Sequence, residues 1–190
     1  MLSTIDLFSG YHQVSMYPDD EDITCFTTMY GNYNFKVMPF GLCNAPATFQ
    51  REMNRIFFKL IGECVFIYTG DLIVFSDTPK EHLKDLKQIF KILTENGLKI
   101  NIEKCHFFQT EIELLSHVLS KNGLKPMDNK VKVILNWLTP KNESLLHSFL
   151  GAISYYRKFI DKFCIMKTSL QIIKENIELW NSEAEEAFQL

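Results

Sequence analysis

The chain has 190 residues, of which 46% are hydrophobic and 23% charged, with 16 Phe among its aromatics. That balance fills a core and excludes a disordered chain. Its longest apolar runs, 64–68 and 72–75, fall far short of the ~20 residues that cross a bilayer, and no charged-then-apolar leader opens the sequence, so neither secretion nor a membrane partner is indicated. The five cysteines, Cys25, Cys43, Cys64, Cys105 and Cys164, are widely spaced with no C-x-x-C pair. They point to reduced, mostly buried thiols rather than to a disulfide framework or a structural zinc. The net charge of −3 hides a pattern: residues 1–79 carry −5, residues 80–174 carry +7, and residues 175–190 carry −5. An acidic front half followed by a basic stretch suits a chain that holds a cation in one place and a phosphate backbone in another, although lysine-rich helices are often only solvated faces.

In chain order, residues 2–8 read as a short strand ending near Gly10. Residues 27–37, with Tyr30-Gly31-Asn32-Tyr33 at their centre, predict a hairpin. A loop with Pro39, Gly41 and Pro46 follows, and Pro46 suits a first helical turn because its missing N–H has no helical partner there. Phe49, Met53, Ile56, Phe57 and Leu60 then recur at helical spacing. Residues 64–68 and 72–76 are β-prone runs joined by Thr69-Gly70-Asp71, a tight turn in which Gly70 supplies a positive φ. The next helix is punctuated by Thr78 as cap, Pro79 in its first position, Glu81 closing a capping box and Asn96-Gly97 at its end. Leu83, Leu86, Phe90 and Leu93 are expected on its buried side. Residues 98–102 and 112–119 read as strands, and after Gly123 and Pro126 the pattern turns helical, chiefly over 131–138 and 143–163. The class is α+β, with a break near 121–126 before a smaller helical unit.

Asp6 and Asp71 stand at the ends of predicted β segments. Each alone reads as an ordinary turn residue. Side by side at one sheet edge, they would be hard oxygen ligands on rigid strands, the arrangement a Mg²⁺ site for phosphoryl transfer requires. His12, His82, His106, His117 and His147 show no ligand spacing and read as surface or packing residues. Trp137, Tyr155 and Tyr156 read as core or face contacts of the helical unit, and Glu183, Glu185 and Glu186 as a solvated helix face.

Several ordered segments resemble the reverse transcriptase of gypsy-class LTR retrotransposons. They are Ile5-Asp6-Leu7 with Ser9-Gly10-Tyr11-His12-Gln13, Val37-Met38-Pro39-Phe40-Gly41-Leu42, Asn44-Ala45-Pro46-Ala47-Thr48-Phe49-Gln50, and Tyr68 to Asp71 with Val74-Phe75-Ser76. Glu81-His82, Lys104-Cys105, Ser148-Phe149-Leu150-Gly151 and Tyr155-Tyr156-Arg157-Lys158-Phe159-Ile160 continue the match. The resemblance implies a right-hand polymerase: a palm with partial fingers over 1–120, a helical thumb over 121–174, and a connection over 175–190 leading to a cut-off RNase H-like region at Leu179-Trp180 and Ala187-Phe188. It implies RNA-directed DNA polymerase chemistry on two Mg²⁺ ions, with Mn²⁺ as an alternative, held by three aspartates. Asp6 matches the first of these and Asp71 the last. Tyr11 matches the aromatic under the incoming sugar. Ser9, Gly10, Phe40 and Gly41 fall in the matching nucleotide-binding segments, and Leu115, Ser116 and His117 in the turn that meets the primer. The implied partners are an RNA or DNA template with a DNA primer, deoxynucleoside triphosphates, and the protease, RNase H and integrase of a Pol polyprotein. The implied setting is intracellular, in cytoplasmic virus-like particles or the nucleus.

The pattern breaks at the hairpin, where Tyr-x-Asp-Asp reads Tyr68-Thr69-Gly70-Asp71. Glycine suits the turn, so the fold is expected to survive. The lost carboxylate removes a metal ligand, however, and a loss of ~4 kcal/mol in the transition state slows a step roughly a thousandfold. Asp77 and Glu63 adjoin the motif without an evident substituting role, and metal occupancy is expected to be reduced. Ser116 stands where the family has glycine, and by the resemblance the upstream fingers are expected to be missing before Met1. The expectations left open are therefore an impaired polymerase or a non-catalytic template–primer-binding or structural remnant.

Overall fold

The computed structural model describes residues 1–172 and residue 188. The chain divides into two units, Met1–Ile112 and Glu113–Leu190. The break near 121–126 read from the sequence thus falls inside the second unit.

The first unit is built on the antiparallel sheet β4-β5-β1-β6. Its strands are β1 (Leu2–Asp6), β4 (Val65–Tyr68), β5 (Asp71–Phe75) and β6 (His106–Gln109). A separate hairpin, β2 (Phe26–Thr28) and β3 (Gly31–Tyr33), lies within the predicted 27–37 region. Helix α1 (Ala45–Ile56) carries Pro46 in its first turn as expected and buries Ala45, Phe49 and Met53 at four-residue spacing. Helix α2 (Pro79–Glu95) carries the complete capping box, with the Glu81 amide donating to Thr78 Oγ1 at 3.2 Å and the Thr78 amide donating to Glu81 Oε2 at 3.2 Å. Ile5, Leu7, Phe49, Met53, Phe57, Val65, Leu72, Val74, Leu86, Ile89 and Leu93 form the core between sheet and helices.

Several expectations need correction. On α2, Leu86 and Leu93 are buried as expected, but Leu83 is 48% exposed and Phe90 only half-buried; His82 and Ile89, one residue to the N-terminal side of each, complete the buried face. Residues 98–102 do not form a full strand; Ile100 makes an isolated bridge to Leu7, just past β1, before a 3₁₀ turn at Ile102–Lys104. Of the five thiols only Cys64 is buried, while Cys25, Cys43 and Cys164 are exposed.

His82 is fully buried in a polar chain whose polarity can be worked out. Ser76 Oγ donates to Asp85 Oδ2 at 2.7 Å, so its oxygen can only accept from His82 Nδ1 at 3.0 Å. Nε2 must then accept from Ser3 Oγ at 2.7 Å, and Ser3 Oγ accepts the Phe108 amide at 3.1 Å. One directed run thus ties β6, β1, the end of β5 and α2 together. Among the described residues no buried side-chain polar atom lacks a partner.

The second unit contains the sheet β7-β8-β9, whose first strand begins just before the break: β7 (Glu111–Leu114), β8 (His117–Ser120) and β9 (Gly123–Pro126). Residues 112–119 are therefore a hairpin rather than one strand, with Leu115 and Ser116 both at positive φ in its turn. Helices α3 (Asp128–Leu135), α4 (Glu143–Tyr155) and α5 (Phe163–Ile172) follow. The long helix expected over 143–163 stops at Tyr155, gives a 3₁₀ turn at Arg157–Phe159, and reverses through Lys162 at φ 50°. Leu146, Phe149, Leu150, Ile153, Met166 and Leu170 make its core, with Trp137 edge-on to Phe149 at 5.7 Å. The sequence features at Leu179-Trp180 and at Glu183, Glu185 and Glu186 lie outside the described residues. Among the described residues no helix is long and apolar enough to cross a membrane.

Candidate functional site

Asp6 and Asp71 are direct cross-strand partners in the β1–β5 ladder, and Asp71 in turn pairs with Tyr68 of β4. Paired residues of an antiparallel ladder project to the same face with Cβ atoms about 5 Å apart. The two carboxylates thus share one face at one end of the sheet. The ladder runs one step further, where the Leu7 amide donates to the Gly70 carbonyl at 3.2 Å. The other edge of the same segment is tied as well: the Asn101 amide donates to the Asp6 carbonyl at 2.8 Å and the Phe8 amide to the Lys99 carbonyl at 2.9 Å. Asp6 is therefore held by backbone bonds on both sides. Gln13 fastens this edge through its side-chain amide, donating to the carbonyls of Phe8 and Lys99 at 2.6 and 2.9 Å and accepting from the Lys99 amide at 2.6 Å.

The β4–β5 turn consists of Thr69 at φ 44° and Gly70 at φ 114°. Positive φ at both central residues is what a two-residue hairpin with right-twisted strands needs. Gly70 meets this without strain, whereas a β-branched residue at Thr69 does not. Gln50 of α1 steadies the turn: its Nε2 donates to the Ile67 carbonyl at 3.0 Å and its Oε1 accepts the Thr69 amide at 3.0 Å. Phe49, one residue earlier, lies under the site. A Cβ on Gly10 would stand 2.8 Å from its ring tip and one on Gly70 would stand 3.7 Å from its edge. Tyr11 packs edge-on to Phe49 and tilted on Phe40, each with centroids 5.3 Å apart.

Asp6, Leu7, Gly10, Tyr11, Phe40, Thr69, Gly70 and Asp71 together line a pocket of about 180 Å³. The residues singled out from sequence at 6, 10, 11, 40, 70 and 71 are thereby brought together. Ser9, at φ 48°, starts the 3₁₀ turn carrying Tyr11, and Gly41 follows Phe40 at φ 92°; neither lines the pocket. Leu115, Ser116 and His117 belong to the second unit. Sequence reasoning missed Gln50 and Phe49 as supports of the site, although both stand in a motif it had singled out. Partial burial, and then the facing Asp6 carboxylate, hold the Asp71 carboxyl above the usual carboxylate range, with the Lys104 ammonium working the other way.

Among the described residues no three His, Cys, Asp or Glu side chains converge as metal ligands. Asp77 and Glu63 lie beyond the far ends of β5 and β4 from the turn. At ~3.3 Å per residue, Asp77 is roughly 20 Å along the strand from Asp71 and replaces nothing. Two carboxylates on one face fit a single hydrated Mg²⁺, which is often bound through one or two carboxylates with water filling the rest. They do not provide for a second ion.

An antiparallel sheet with two helices behind it, paired acids at one end and an aromatic beside them is the palm of a right-hand polymerase. Residues 1–119 match the family described as reverse transcriptase (RNA-dependent DNA polymerase), and the chain belongs to it. It is 39% identical over 192 residues to the retrovirus-related Pol polyprotein from transposon 297 of Drosophila melanogaster, a match covering 98% of this chain and 18% of that one. It is 37% identical over 161 residues to the Pol polyprotein from transposon gypsy of the same organism, covering 85% of this chain and 16% of that one. Among solved structures, a foamy viral protease-reverse transcriptase in complex with double-stranded DNA superposes with a TM-score of 0.89 at 26% identity, over 99% of this chain and 34% of that one. The same viral protein with an RNA/DNA hybrid gives 0.82 at 26% identity, over 99% of this chain and 26% of that one. The chain spans less than a fifth of the length of these Pol polyproteins. It is a reverse transcriptase-like domain of the retrotransposon Pol type.

Proposed function

We propose that this chain holds a template–primer duplex and a single divalent cation but does not extend the primer at a polymerase's rate. The observation that carries this reading is the Asp6–Asp71 pair beside Gly70: two ligands are in register, and the position adjoining them has no side chain. Asp6 and Asp71 would hold the cation, which when bound supplies charge stabilisation at a phosphoryl group and acidifies a hydroxyl. The chain's own residues fix the rest. The β1–β5 ladder sets the spacing of the acids, and the ring of Tyr11, braced by Phe40 and Phe49, walls the pocket where a sugar would lie. Ser9 and Gly41 set the backbone on either side of that wall.

The duplex reading rests on the basic stretch of residues 80–174, on Leu115, Ser116 and His117 as the primer-facing turn, and on the nucleic acids bound by the foamy viral relatives. The thumb reading of the second unit belongs to the same proposal, as do a Pol polyprotein context and an intracellular setting.

Primer extension with the purified chain on an RNA template, in Mg²⁺ and separately in Mn²⁺, tests it alongside binding of the same labelled hybrid across a salt series. The expected outcome is binding that weakens steeply with salt and little or no incorporation. Incorporation at rates typical of polymerases would refute the impaired site, and binding that ignores salt would refute the phosphate contacts.

A further inference from the structure

The turn between β7 and β8 places two successive side-chain-bearing residues, Leu115 and Ser116, at φ 47° and 60°. This left-handed region is disfavoured for any residue with a Cβ, so the turn needs outside support to persist. Support comes from the end of α4. The Tyr155 hydroxyl donates to the Leu115 carbonyl at 2.5 Å, and His117 Nδ1 lies 2.8 Å from the same oxygen and must carry the proton there. That carbonyl thus uses both of its lone pairs. The Tyr156 hydroxyl reaches the Ser116 carbonyl at 3.5 Å, a longer and weaker bond. The His117 ring is enclosed by Tyr155, Tyr156 and Phe159, with centroids at 5.2, 5.5 and 5.5 Å. Tyr155 is 53% exposed, so its hydroxyl has water within reach and does not depend on a backbone partner for satisfaction. The turn is the party that gains from the bond.

We propose that Tyr155, with Tyr156 in a lesser part, is a positioning residue that locks the Leu115–Ser116 turn in the conformation presenting its backbone to the 3′ end of a bound primer strand. The primer half of this statement rests on the duplex reading given above; the lock itself does not. Substituting Phe for Tyr155 keeps the ring against His117 and removes only the hydroxyl. Loss of one net hydrogen bond corresponds to about a three- to tenfold change in the population of the locked turn. Substituting Gly for Ser116 relieves the left-handed strain at that position and makes the support less necessary.

Two readouts on the full chain separate the halves. Without nucleic acid, hydrogen exchange of the peptide spanning the turn is expected to rise about three- to tenfold in Tyr155→Phe and to return toward the native value in Tyr155→Phe/Ser116→Gly. With an RNA/DNA hybrid carrying 4-thiothymidine at the primer 3′ end, crosslinking to the turn peptide is expected to fall and recover in the same order, the melting temperature following it by about 1–6 °C. Unaltered exchange in Tyr155→Phe, or failure of Ser116→Gly to rescue it, would overturn the lock. A lower melting temperature without rescue would make Tyr155 an ordinary packing residue. Exchange that follows the expected order while the unaltered chain gives no crosslink at the turn would uphold the lock and overturn the primer reading.

Discussion

Restoring the missing acid by Gly70→Asp is the most informative single change. Space is not the obstacle, since a Cβ at 70 would meet only the Phe49 ring edge at 3.7 Å. The backbone is: at φ 114° Gly70 occupies a conformation that side-chain-bearing residues rarely adopt, with a cost of about 1–2 kcal/mol for a left-handed residue. The new carboxylate would also join Asp6 and Asp71. One further negative charge about 5 Å from another costs between about 1 and 3 kcal/mol as the effective dielectric falls from that of water to ~20. Together these predict a loss of about 2–5 kcal/mol without metal. A shift of 2–4 °C per kcal/mol then gives a melting temperature lower by at least about 4 °C in EDTA. A divalent cation removes only the electrostatic part. Mg²⁺ is therefore expected to raise the variant's melting temperature more than the native chain's, while leaving the variant short of native stability. Thermal melting of both chains in EDTA and in Mg²⁺ measures this. A variant that melts with the native chain in EDTA would refute the backbone argument. An equal rise with Mg²⁺ in both chains would show that the third carboxylate is not what the site lacks.

Thr69→Asn at φ 44° replaces a β-branched residue by one that tolerates the left-handed region, and a gain of about 0.5–1 kcal/mol is expected as a higher urea midpoint; a lower midpoint would contradict the strain assigned to Thr69. Gly10→Ala drives a Cβ to 2.8 Å from the buried Phe49 ring and is expected to cost about 1–3 kcal/mol, a penalty that shrinks in a Phe49→Leu background; additive losses in the double variant would exclude that clash as the cause. Burial, then the Met1 amino group, push the His82 pKa below its ordinary value, against the pull of Asp85. The depressed pKa means that the unfolded chain takes up the proton first. The His82 contribution is complete above about pH 6.5, declines as pH falls below it, and levels off beneath the folded value. Denaturation at pH 7.5 and 5.5 is expected to show a larger acid loss in the native chain than in His82→Gln; equal losses would rule out His82 as the source.

Features fixed by neighbouring residues were legible. Thr78, Pro79 and Glu81 announce the start of α2 because a capping box is closed within one turn. Asp6 and Asp71 were legible only as members of a resembling motif, since no local rule brings residues 65 positions apart into register. The β7–β8 turn was legible only through the resemblance: it holds Leu115 and Ser116 rather than glycine, so by pattern alone the apolar run reads straight through. The end of α4 was hidden for a similar reason: no proline or glycine stands between Ala152 and Phe163, and the reversal is made by Lys162 in the left-handed region. His82 read as a lone polar residue because Ser3 and Ser76, which satisfy it, come from distant strands. The supporting bonds of Gln50 are likewise tertiary, and no spacing in α1 encodes them.

The interior place of β1 in the sheet has a bearing on synthesis. Both of its neighbours follow it in the chain, β5 by some 65 residues and β6 by about 100. At ~5–20 residues per second a ribosome exposes this strand for several seconds before either edge can be covered. Ile5 and Leu7 then await their burial in the company of whatever chaperone first meets the nascent chain.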